Sequence, residues 1–402
     1  MMPGGRSMRR WIVAGLLVVV VAVAAFLIIA PSAIEKSMNK VERVASPVGP
    51  AARALHATLA VADLHADPLL WKRDLNERST RGQIDVPRLI EGGYALQLFS
   101  SVTKTPKGQN YGANSAETDN ITLLTVAQLQ PPRTWTSLLQ RSLYHAEKLD
   151  RFAAASEGKL RVIRTAADLD RLLAARARGG KLVGGMLSIE GLQDLEGDLR
   201  NLDRLHAAGF RMAGMAHFFD NEVSGSMHGE AKGGLTPLGR QVVRRMERLG
   251  MIVDVAHASH PAVAEMLKMA RRPVVSSHGG VQATCKVNRN LSDDEIRGIA
   301  RTGGLVGIGY WDAAICSTAP SAVAAAIAHV RDLVGVDHVG LGSDFDGAVT
   351  TAFDSSEIVK ITQALLDRGF SADEIRKVMG GNALRVIRAG IVPAGAVEAS
   401  PL

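Results

Sequence analysis

From residue 59 onward, short apolar runs alternate with amphipathic or charged segments. The runs centre near residues 60, 95, 185, 213, 253, 275, 306 and 340, and each is followed by a segment with helical signals. Leu138, Leu139, Leu143, Ala146 and Leu149 keep helical spacing within a stretch from Thr118 to Ala155, broken at Pro131-Pro132. Gly209 reads as a helix stop after Leu199 to Ala208. Ser292 reads as an N-cap before the acidic first turn Asp293-Asp294-Glu295. Eight βα units over somewhat more than ~250 residues predict an α/β fold, a (β/α)8 TIM barrel. A doubly wound open sheet is the alternative, but no Gly-x-Gly-x-x-Gly turn follows the first strand. A barrel puts its chemistry at the C-terminal ends of the strands, on the βα loops.

The first forty residues follow a different pattern. Trp11 to Ala30 is apolar without a break and carries no charge, and Met8-Arg9-Arg10 stands directly before it. About 20 apolar residues in a helix span a bilayer core, so residues 11–30 read as a single transmembrane anchor. Positive charge on its N-terminal side keeps residues 1–10 in the cytoplasm and puts the rest of the chain outside, periplasmic or extracellular. A cleaved signal peptide is the competing reading, but the apolar region of such peptides runs to only about 7–15 residues. Residues 31–55 read as a linker, 56–390 as the barrel domain and 391–402 as a C-terminal tail.

Composition narrows the picture further. Of the 402 residues, 47% are hydrophobic, enough for a large core. The formal charge is +7, yet no long basic run follows the anchor, which argues against nucleic-acid binding. Cys285 and Cys316 form neither a zinc-ribbon pattern nor a disulfide framework, so one disulfide and two free thiols both stay open.

Polar residues sit where the barrel places chemistry. The first run ends in His65-Ala66-Asp67, and alternation along a strand points His65 and Asp67 to one face. The third run ends in Glu190, the fourth in His217, the fifth in His257, the sixth in His278 and the eighth in Asp344 and Asp346. Such a set converging on one barrel mouth is costly unless metals or ion pairs balance it. His56, His145, His206, His228, His260, His329 and His338 fall on helices, loops or strand starts and read as ordinary residues. His228 lies in the Gly-rich loop after the fourth run. Three imidazoles and two carboxylates hold two metals if one carboxylate bridges, and Glu190 is the natural bridge. The donor set suggests zinc, with manganese and cobalt as alternatives. Two metals at such spacing can share a hydroxide and polarise a carbonyl or phosphoryl group, which implies hydrolysis.

At these residues the sequence resembles the membrane (renal) dipeptidase family of zinc peptidases. The matching stretches are Asp63-Leu64-His65-x-Asp67, Ser188-Ile189-Glu190-Gly191, Ala216-His217, Ile252 to His257, Ser276-Ser277-His278, Asn288-Arg289-Asn290-Leu291 and Gly340 to Gly347, in family order over residues 59–388. The resemblance implies a dipeptidase with two Zn2+ per chain. It gives one zinc to His65 and Asp67, the other to His257 and His278, and makes Glu190 the bridge. It implies that His217 stabilises the oxyanion, that Arg289 grips the substrate's terminal carboxylate and that Asp344 relays a proton to the leaving amine. Asp346 takes a supporting part. Tyr310-Trp311 and the loop from Asn221 to Gly234 line the pocket or its lid. The resemblance also implies a homodimer. Where the family usually has Asn, this chain has Ala66. Two other functions compete: a related binuclear metal amidohydrolase acting on another amide, a lactone or a β-lactam, and a non-catalytic binding protein that keeps the fold.

Overall fold

The computed structural model describes residues 5–392. The expected tail, 391–402, lies outside the described residues from 393 on, as do the first four residues of the basic tail.

The eight apolar runs are strands: β1 (Val61–Ala66), β2 (Tyr94–Val102), β3 (Val183–Glu190), β4 (Phe210–Gly214), β5 (Ile252–Asp254), β6 (Val275–Ser276), β7 (Leu305–Ile308) and β8 (Val339–Leu341). Each pairs in parallel with its sequence neighbours. β2 joins β3 in the register Leu96 to Gly184, and β8 joins β1 through Leu341 and Asp63, so the sheet closes on itself. Every residue of β1, β2 and β3 is buried. Strands covered on both faces carry no polar alternation, which is why they read as continuous apolar runs. An extra short strand, Leu160–Val162, runs beside the start of β3 and fell outside the predicted set.

The surrounding helices follow the predicted punctuation. Ala166–Ala177 and Pro237–Leu249 begin and end where the sequence signals place them. Ser292 closes a capping box with Glu295, and Gly209 ends its helix with φ 111°. The closing helix Asn382–Gly390 lies beyond Gly380-Gly381 and was not among the expected elements. The backbone breaks there, at Gly380, and then resumes as Asn382 donates to the carbonyls of Val336 and Val339 at 2.7 and 2.9 Å. This helix plugs the lower end of the barrel. Ala383, Val386 and Ile387 pack with the inward-facing Ala62, Leu64, Leu96, Met186 and Met212.

The region expected as a linker is instead part of the folded unit. Helix α1 (Gly5–Met38) runs past the apolar segment without a break. Glu35 is buried and pairs with Arg73 Nε and Arg81 Nε, both at 2.7 Å. Lys40–Val41 pairs in parallel with Thr350–Thr351 just beyond β8, and Pro50–His56 forms a helix with His56 fixed between Thr362 and the Gly92 carbonyl. Charged and alanine-rich composition suggested a tether. The correction comes from partners 36 to about 310 residues away, which satisfy those charges and backbone groups.

Candidate metal centre at the barrel mouth

Each expected donor reaches the mouth from its own strand. His65 lies inside β1 and Glu190 ends β3, whereas His217, His257, His278 and Asp344 stand two or three residues past β4, β5, β6 and β8. All are buried. Glu190 Oε1 is the hub: it lies 2.9 Å from His257 Nε2, 3.2 Å from His278 Nε2, 3.4 Å from His217 Nε2 and 3.7 Å from His65 Nε2. His65 Nε2 also lies 3.4 Å from Asp67 Oδ2 and 3.8 Å from Asp344 Oδ1. Three overlapping donor groups result: His65 with Glu190 and His278, Glu190 with His217 and His257, and His65 with Asp67 and Asp344.

Electrostatics decide what such a cluster can hold. Burial and then the Arg289 charge depress His257 far below the usual imidazole range, and burial and then His65 do the same to His278. Their Nε2 atoms face each other at 3.0 Å as neutral rings. Burial drives His217 down to about 3. Burial also opposes charge on His65, but Asp67, Glu190 and Asp344 outweigh it and push the ring up to about 10. Burial raises Glu190 and Asp344 well above the usual carboxylate range. In the protein alone, then, carboxylates crowd together with neutral imidazole nitrogens aimed among them, and His65 Nε2 and Asp67 Oδ1 have no hydrogen-bond partner. Buried donors left unsatisfied in this way fit divalent metal, which supplies the missing charge and bonds.

The supporting structure holds these donors in place. Asp63 is fully buried and accepts from His65 N at 3.1 Å, Gln97 Nε2 at 3.1 Å, Ser343 N at 2.9 Å and Ser343 Oγ at 3.0 Å, tying β1, β2 and the loop after β8 together. Asp254 does the same for the fifth and sixth strand ends, accepting from Ala256 N at 3.0 Å and Ser277 N at 2.9 Å. His257 and Asp344 hold φ of 63° and 60°, a left-handed backbone that non-glycine residues seldom adopt. Next to Asp344, a Cβ at Gly347 would strike the Asp344 carboxylate, so only glycine lets the loop close over it. Arg289 is buried, donates to the His278 carbonyl at 3.0 Å, and lies with its guanidinium carbon 5.6 Å from the Trp311 ring centre. Asp346 pairs with Arg73 and accepts from Gln83 N at 2.6 Å, away from the donor cluster.

A sequence profile of the membrane dipeptidase family, peptidase family M19, matches residues 50–393. The chain belongs to the membrane dipeptidase family. Among its relatives, dipeptidase aclJ of Aspergillus oryzae is 38% identical over 215 residues, 51% of each chain, so the match spans about half that relative's length. Dipeptidase tcpJ of Claviceps purpurea is 28% identical over 319 residues, 76% of this chain and 69% of that protein. A metallopeptidase from Rhodobacter sphaeroides, solved with a phosphinate mimic of the dipeptide L-Ala-D-Ala, shares the fold: TM-score 0.68 at 23% identity, covering 83% of this chain and 99% of the other.

Several pocket residues gave little signal in sequence. His228, grouped there with ordinary histidines, is buried, stacks on Phe218 with ring centres 4.6 Å apart and lies 5.4 Å from the His257 ring. Tyr111 closes the same wall: its carbonyl accepts from Asn288 Nδ2 at 2.7 Å and its hydroxyl from Trp311 Nε1 at 3.3 Å. Asp63 and Asp254 fall inside the stretches that carry the resemblance, two and three residues before a histidine, but their bracing part had no mark of its own. The cysteine question is settled by a Cys285–Cys316 disulfide, which ties the loop bearing Arg289 to the loop bearing Trp311.

Proposed function

We propose that this chain is a membrane-anchored dipeptidase that hydrolyses short dipeptides with two zinc ions, Glu190 lying between them. The supporting observation is Glu190 Oε1 at 2.9–3.7 Å from ring nitrogens delivered by four separate strand ends. In this reading His65 and Asp67 hold one ion, His257 and His278 the other. When bound, the pair supplies Lewis acidity and a nucleophile at neutral pH. The chain's own residues do the rest. The neutral His217 ring donates to the carbonyl oxygen as negative charge develops on it. Arg289, braced by the His278 carbonyl and Trp311, takes the substrate's terminal carboxylate with its planar fork. Asp344, buried beside His65 at the mouth, carries a proton to the leaving amine. The phosphinate dipeptide mimic held by the Rhodobacter enzyme supports a dipeptide ligand, including a D residue in the second position. A disulfide suits a catalytic domain outside the cytoplasm.

The full chain, purified in detergent and offered a panel of L-L and L-D dipeptides, should release free amino acids, lose activity to a chelator and regain it with zinc. Zinc loading without turnover of any dipeptide, alongside turnover of a lactone or β-lactam, would instead favour the related amidohydrolase.

A further inference from the structure

The apolar side chains left exposed outside the anchor are few, and three of them share one place. Leu123 and Leu129 are 66% and 62% exposed, and Val126 is 36% exposed. They lie on and just after the helix Asn120–Ala127, in the long loop between β2 and β3 that also carries Tyr111 to the active-site wall. Leu129 holds φ at 55°, where a leucine is rarely found, so the fold spends strain to hold an apolar side chain out in the open. This helix packs against α1.

The position of α1 fixes the height of the patch. Residues Arg9–Met38 form a helix with an 18-residue apolar window of mean hydropathy 3.3 that is unburied. Glu35, locked to Arg73 and Arg81 on the barrel, lies five residues beyond Ala30, about 7.5 Å along the helix at 1.5 Å per residue. Bilayer headgroups occupy a layer of about 5–7 Å on each side of the hydrocarbon core. Among the described side chains of α1 only Pro31 and Glu35 are buried, so the helix Asn120–Ala127 packed on it lies at headgroup depth. Leu129 also lines an open cleft of about 520 Å³ with the exposed Lys72 and Arg151 and with Asp74 on its walls, and these two basic side chains complement anionic lipid.

We propose that Leu123, Val126 and Leu129 form a second membrane contact that seats the barrel mouth against the bilayer surface in which α1 is anchored, with the Lys72–Arg151 cleft facing anionic headgroups. The inference rests on α1 crossing the membrane and goes beyond the dipeptidase reading, which it does not require.

Because both native cysteines are bridged, a single introduced cysteine accepts an environment-sensitive fluorophore. The full chain would carry L123C or L129C, with V20C inside the anchor and K181C at the opposite end of the barrel as references. Each would be reconstituted in phosphatidylcholine vesicles containing phosphatidylglycerol and quenched by spin-labelled lipid, the label placed at mid-chain for V20C and near the headgroup for the other sites. The proposal expects V20C, L123C and L129C to be quenched several-fold more strongly than K181C. It also expects Lys72→Glu with Arg151→Glu to weaken quenching at L129C. Quenching at V20C without quenching at L123C and L129C would overturn it. So would shielding of L123C from aqueous iodide without lipid quenching, the mark of a protein partner or a second copy. Loss of quenching at V20C as well would remove the anchor itself, with dipeptide turnover left to judge the catalytic reading separately.

Discussion

Arg289 reaches the donor cluster from a loop, and its neighbours show why its substitution should affect binding first. Its fork lies against the His278 carbonyl and Trp311 and reaches His257 Nε2 at 3.3 Å, at the edge of the hub around Glu190. Replacing Arg289 by alanine removes charge-assisted hydrogen bonds worth about 1.5–3 kcal/mol, so kcat/KM for dipeptides should fall ~10–100-fold, mostly through KM. Arg289→Lys should recover only part of the loss, because an ammonium cannot copy the fork. Steady-state kinetics on both variants would check this, and an unchanged KM would count against carboxylate recognition. The donors that gather around Glu190 were legible at this scale because each one interrupts an apolar run at the end where a barrel exposes its strands. The bracing part of Asp63 and Ser343 was not, because a buried polar residue inside such a run looks like any other until its partners from other strands are known. His228 was misjudged for a related reason: its loop returns to the pocket only through the fold.

At the scale of elements, two loops bear on the site through a covalent link. The Cys285–Cys316 bond closes a separation of 31 residues, which chain entropy translates into ~3–4 kcal/mol. The Cys285→Ser, Cys316→Ser double variant should unfold at lower denaturant by that amount and show a raised KM, because the Arg289 and Trp311 loops lose their tie. A second element carries a pH signature. Asp194, in the short turn after β3, accepts from Ser142 Oγ at 2.6 Å, and burial pushes it up to about 7. A carboxyl group whose folded value is raised keeps a proton that the unfolded chain, near 3.8, has released. Its contribution to stability is full below that unfolded value and is lost as pH rises through about 7. Thermal melts of Asp194→Asn should gain on the parent between pH 4 and pH 8, and a constant difference would refute the assignment. Helix boundaries were readable wherever a cap residue or glycine marks them, as at Ser292 and Gly209. The helix Asn382–Gly390 was hidden because Gly380-Gly381 serves there as a kink between helices.

For the whole molecule, the barrel was legible because the sheet closes on itself and buries both faces of every strand. The placement of the N-terminal apolar helix was not. Glu35, Arg73 and Asp346 lie far apart in sequence, and only the folded chain brings them together, so the residues between that helix and the barrel read as a tether when they are a docked extension. The central claim remains the binuclear centre around Glu190. The most direct measurement removes metal from the detergent-purified full chain, returns zinc in steps and follows hydrolysis of one cleavable dipeptide alongside bound metal. The account predicts that activity is absent without metal and rises to a plateau at two zinc ions per chain, with Glu190→Gln binding less metal and hydrolysing little. Full activity at one zinc per chain, or unchanged metal binding in Glu190→Gln, would contradict it.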